Sequence, residues 1–128
     1  MTLKKNKTHM SKFKTALTFL FEIFMVFGGV MHFINPEMYN PFIADFLPKD
    51  LVNYAAGVLE IMVGIGAMIP RYRSSGTLGI LLLMVAFLPL HVMDVFKENP
   101  AIGSHSLALI RLPIQFVFIL WAWFINKK

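Results

Sequence analysis

The chain has 128 residues, 57% of them hydrophobic and 15% charged, with a formal net charge of +5. A soluble domain of this length carries far more charge, so the composition excludes an ordinary globular class and points to a membrane protein. Cysteine is absent, which removes thiol redox catalysis, thiolate metal sites and disulfides, and the basic residues gather at the edges of apolar segments rather than on a polar face, which argues against nucleic acid.

Residues 1–14 read as a basic tail with Lys4, Lys5, Lys7, Lys12 and Lys14. Four apolar segments follow, at about Thr15–Ile34, Leu51–Pro70, Gly76–Phe96 and Ser106–Ile125. Each has roughly the 20 residues that cross a hydrocarbon core. Backbone groups in lipid need internal partners, so the segments are read as helices. The expected fold is therefore all-α: an integral membrane four-helix bundle forming one domain over residues 15–126. A basic stretch before an apolar one also describes a signal peptide. Here the apolar run is too long, and no convincing small-x-small site follows it, so the first segment is kept as a spanning helix.

In the first segment Glu22, Met25, Gly28, Gly29 and His32 share a face. The first connection, Asn35 to Asp50, is long for a bundle and holds Phe42, Ile43, Phe46 and Leu47 among Pro36, Pro41 and Pro48. Two readings stand for it: an amphipathic loop in the membrane interface, or a lid folded over the bundle mouth. In the second segment Ala56, Gly57, Glu60, Gly64 and Ala67 fall on one face, and small residues there mark a close helix approach. Glu60 lies in that stripe and therefore points into protein. The next connection, Arg71 to Ser75, is short and makes the second and third helices antiparallel neighbours. Pro89 is expected to kink the third segment, whereas Pro113 lies near the start of the fourth, where its effect is smaller.

Lys and Arg concentrate in the N-terminal tail, at Arg71 and Arg73, and at Lys127 and Lys128. The first and third connections carry Lys49 and Lys97 beside Glu37, Asp45, Asp50 and Glu98. The positive-inside rule then puts both termini in the cytoplasm and the two acidic connections outside.

A charged, unpaired Glu60 inside such a segment would be costly, and Arg111 is the one plausible cation within the apolar segments. At 1.5 Å per residue Glu60 lies about 13 Å below the outer end of its helix, and Arg111 and His91 about 8 Å below theirs. His32 is near the outer end of the first segment, Asp94 is one turn above His91, and Gln115 is one turn below Arg111 on the same face. Two readings cover these six residues. One is a polar staple that fixes helix register, with Glu60 and Arg111 neutralising one another. The other is an outward-facing pocket in which Glu60, Arg111, Gln115, His91, His32 and Asp94 bind a ligand. A haem held by His32 and His91, or Cu(I) held by the Met31-His32 and His91-Val92-Met93 pairs, is a weaker fit, because lone histidines near an interface usually serve as hydrogen-bonding groups. Fingerprints of nucleotide binding, zinc proteases or serine hydrolases are absent.

Gly29-Val30-Met31-His32-Phe33, Pro36-Glu37, Leu47-Pro48, Gly57-Val58-Leu59-Glu60-Ile61, Pro70-Arg71-Tyr72-Arg73, Arg111-Leu112-Pro113-Ile114-Gln115 and Trp121-Ala122-Trp123 occur in this order. Together they resemble the DoxX-like family of small four-helix membrane proteins, over about Gly28 to Phe124. The resemblance implies a role for Glu60, Arg111, Gln115 and the His32–Glu37 stretch. It also implies a link to quinone-dependent respiratory or sulfur-oxidising membrane complexes in some members, and to membrane-protein assembly in distant relatives. Family members commonly carry asparagine shortly after the helix-three proline. This chain has His91 there, so the resemblance assigns His91 no role. The leading expectation is an accessory protein that binds a quinone, a lipid or a partner helix between lipid-embedded helices, with no catalytic activity of its own. A homo-oligomer is compatible with this. The alternatives are a quinone-linked redox subunit using an acquired cofactor, and an assembly or chaperone factor.

Overall fold

The computed structural model describes residues 11–127. Lys4, Lys5, Lys7 and Lys128, used above for orientation, lie outside them. Four long helices make up most of the described residues: α1 (Lys12–Ile34), α2 (Lys49–Met68), α3 (Arg73–Val95) and α4 (His105–Asn126). With the turn that precedes α3, all four are long and apolar enough to cross a membrane. Among the described residues the secondary structure is helical without strands, and by length and apolarity the four helices are those of a multi-pass membrane protein.

Local chemistry sets the helix ends. The Ser11 side chain accepts from the Lys14 N–H and starts α1, and Ser104 accepts from Leu107 N–H at the start of α4. α1 stops at Asn35, before Pro36, and α2 stops at Ile69, before Pro70, because a following proline disfavours the helical conformation. The second helix thus ends at Met68 rather than at the expected Pro70. A single 3-10 turn, Pro70–Tyr72, then leads into α3. The α2–α3 connection is even tighter than expected, since Arg73 to Ser75 are already helical. Arg73 closes the end of α2 by donating from Nε to the Ala67 carbonyl (3.0 Å) and from Nη2 to that of Met68 (3.3 Å). α3 is assigned as one uninterrupted helix through Pro89, and α4 as one through Pro113.

Small residues bring the helices together where the sequence suggests. A Cβ placed on Gly29 would lie 2.8 Å from the Gly57 carbonyl oxygen, and one on Gly57 would lie 2.8 Å from that of Gly29. Backbone meets backbone here, a contact that only glycine allows. Gly76 on α3 sits as tightly against the Ala67 backbone of α2.

The bundle has two distinct ends. At the terminal end, Lys14 Nζ donates to the Lys127 carbonyl, and Thr77 of α3 bonds Asn126 of α4 (2.9 Å). At the connection end sit residues 35–48 and 96–104. A layer of aromatic rings lies between the two. Phe21 meets Trp121 at 4.6 Å between ring centroids, and Phe24 meets Phe118 at 5.2 Å. Phe21 and Met25 are fully buried there, with Ile80 and Met84 in the same core.

Candidate functional site

The buried stripe of α2 comprises Asn53, Gly57, Glu60, Gly64 and Ala67. Its polar members face α1, because the Gly29–Gly57 contact draws the two helices together one turn from His32. Glu60 Oε2 lies 2.7 Å from His32 Nε2, and His32 Nδ1 lies 2.9 Å from Asn53 Oδ1. The Asn53 amide nitrogen donates to Asn40 Oδ1 (2.6 Å) and toward the Pro36 carbonyl (3.5 Å). A peptide carbonyl can only accept, so this orients the amide with its oxygen toward His32. His32 Nδ1 therefore carries a proton. The bond between His32 Nε2 and Glu60 Oε2 then holds one proton, whichever atom it sits on, and the pair is electroneutral as a unit.

The expected pairing of Glu60 with Arg111 is corrected here: His32 is the partner, and among the described residues Arg111 joins no ion pair. The reason is proximity. α1 and α2 touch through glycine, while Arg111 is on α4, across an open space.

Tyr39, from the first connection, covers this network. Its ring stacks on His32 at 3.6 Å between centroids and an interplanar angle of 14°, and its hydroxyl donates to the Gly28 carbonyl at 3.1 Å. Burial, and then the Glu60 carboxylate, push the Tyr39 phenol up to about 12.

The open space is a cavity of about 450 Å³. Phe24, Phe87 and Phe118 supply apolar wall from three helices, and Met38, Tyr39 and Phe42 supply it from the first connection. Lys49 holds that connection in place by donating to the Ile43 (2.9 Å) and Asn40 (3.3 Å) carbonyls, and Lys97 donates to Pro41 (3.2 Å). The four apolar residues of this connection divide. Phe42 and Ile43 turn into the cavity, whereas Phe46 is 87% exposed and Leu47 is exposed beside it.

Of the six residues singled out from sequence, His32, Glu60, His91 and Arg111 line this cavity, and Gln115 and Asp94 do not. His91 packs edge-on against Phe42, with 5.6 Å between centroids. The Arg111 guanidinium lies over the Phe118 ring at 5.0 Å, and among the described residues its buried Nη1 has no hydrogen-bond partner. Gln115 is fully buried and turned toward α3, where it donates to the Met84 carbonyl at 2.6 Å. Asp94 is turned toward the third connection and accepts from the Ala101 (2.5 Å) and Ile102 (3.2 Å) N–H groups, which folds that connection onto α3. Haem ligation by His32 would require breaking one of the two bonds that occupy its ring nitrogens. No group of three or more His, Cys, Asp or Glu suited to a metal ion occurs among the described residues.

Asn53 and Tyr39 are network members that sequence reasoning passed over. Asn53 was within reach, since it extends the Gly57–Glu60–Gly64 stripe by one turn. Tyr39 lies in a connection, where helical periodicity says nothing.

A second, smaller cavity of about 230 Å³ opens at the terminal end, lined by Thr15, Thr18, Glu22 and Arg73 among others. Glu22 is 4% exposed and, among the described residues, its Oε2 has no hydrogen-bond partner.

Residues 21–126 match the model of a family described as a domain of unknown function, DUF8561, and the chain belongs to that family. No curated protein and no solved structure matches it.

Proposed function

We propose that this DUF8561 member is an accessory protein of the bacterial cytoplasmic membrane, with both termini inside, whose larger cavity faces the outer leaflet and holds a small amphipathic molecule, a quinone or a lipid. The first connection acts as the lid of that cavity. The resemblance to the DoxX-like family is part of the same reading, as is the absence of catalytic activity from the chain on its own.

One observation carries the proposal: a cavity of about 450 Å³ with mostly aromatic and aliphatic walls holds a few polar groups, His32, Glu60, His91 and Arg111. Ligand sites for amphipathic molecules have this composition, apolar surface for the tail and a few placed donors and acceptors for the head. A staple that only fixed helix register would close on itself and leave no such space.

The test is native mass spectrometry of the protein released from mild detergent. A co-purified amphiphile of lipid or quinone mass is expected on the wild type. It should be lost in Leu90→Trp, which fills the cavity from its partly exposed edge. A wild type free of adduct, or an adduct that survives the filled cavity, refutes the proposal.

A further inference from the structure

We infer that the occupant of the larger cavity carries an acidic oxygen headgroup, a carboxylate or phosphate, seated on Arg111. This rests on the cavity being a ligand site and adds the class of ligand.

Charge bookkeeping within the cavity leads there. The ionisable side chains that line it are His32, Tyr39, Glu60, His91 and Arg111. His32 and Glu60 share one proton in their bond and cancel as a unit. Tyr39 is a neutral phenol whose proton is committed to the Gly28 carbonyl. His91 can only be neutral or add positive charge. Glu60 is the one carboxylate in the lining, and its charge is already spoken for. The guanidinium of Arg111 is therefore the uncompensated charge of the cavity.

Its surroundings leave the same vacancy in hydrogen bonding. Phe118 covers a face of the guanidinium, which is a favourable cation–π contact. The N–H groups project from the edge, however, and Nη1 is buried without an acceptor. A neutral carbonyl could accept from the guanidinium but would leave its charge unbalanced. A carboxylate or phosphate accepts from the planar fork with two oxygens and balances the charge in the same contact. The apolar walls around Phe24, Phe87 and Leu90 then suit the hydrocarbon chain.

The test compares oleate, the lysophospholipid lysophosphatidate, oleyl alcohol and a short-chain quinone, each titrated onto the full-length protein in a neutral maltoside detergent. Hydrogen bonds to charged groups are worth about 1.5–3 kcal/mol, so at least one of the two acids should bind ~10-fold or more tightly than the alcohol. The tighter acid identifies the source of the headgroup, free fatty acid or phospholipid. Arg111→Gln should bring the acids down to the level of the alcohol and leave the alcohol little changed. If that variant does not fold, the acid-to-alcohol ratio on the wild type decides alone. Equal binding of acids and alcohol, a preference for the quinone, or an acid preference that survives Arg111→Gln overturns the inference while leaving the cavity a ligand site. Failure of all four to bind overturns the ligand site itself.

Discussion

Glu60 and Glu22 are two buried carboxylates at opposite ends of one bundle, 7% and 4% exposed. Glu60 is held in a chain of side chains, Asn40–Asn53–His32–Glu60, closed above by Tyr39. Glu22 lines a small cavity with Arg73, yet Arg73 directs two of its N–H groups to the end of α2, and among the described residues Glu22 Oε2 has no donor. Burial is nearly equal in the two, so burial does not separate their roles. Their partners do. A carboxylate knitted into a network loses much when the network is cut, whereas one without a donor has little to lose.

The sharpest way to break this comparison is His32→Ala, which leaves Glu60 and the Asn53 side-chain oxygen buried without their His32 partner. It should cost about 3–5 kcal/mol in a reversible unfolding titration in mixed micelles. A loss below about 1 kcal/mol would mean the network is ornamental. Tyr39→Phe is milder, removing one hydrogen bond and keeping the ring on His32, and should cost about 1 kcal/mol. It also carries a pH signature. A phenol raised from 10.0 to about 12 on folding stabilises the protein fully below pH 10, and that contribution is lost as the pH rises through about 12. Ultraviolet titration should show one of the three tyrosines ionising near pH 12, and Tyr39→Phe should abolish that step. The smallest effect belongs to Glu22→Gln. With no donor to lose, it should change stability by less than about 1 kcal/mol, in either direction. A loss comparable to that of His32→Ala would erase the distinction between the two ends.

The helices were legible because membrane segments announce themselves by length and apolarity, and prolines mark where they stop. The expected bounds missed by three residues at most, as with Gly76 against Arg73. The inward aim of Glu60 was legible too, from the spacing of small residues around it. Its partner was not. Depth along each helix gives height but no lateral distance, and a search for a permanent cation favours Arg111 over a histidine. What decides the matter is the Gly29–Gly57 contact, a property of two helices together that neither segment displays alone. The divergent paths of Gln115 and Asp94 were hidden for a related reason. Each is one turn from a cavity residue, but a turn of helix does not say which neighbour a flexible side chain will reach.

The aromatic layer of Phe21, Phe24, Phe118 and Trp121 has an electrical consequence. It separates the polar groups of one end from those of the other with apolar rings, with Met25 beside them. In an energised membrane most of the voltage drops across whatever region is least polarisable, about 2.3 kcal/mol for each elementary charge per 100 mV. The rings therefore put weakly polarisable groups in that region. A charge moving from the larger cavity toward the terminal end would have to pass these apolar rings, and burying it there would be costly.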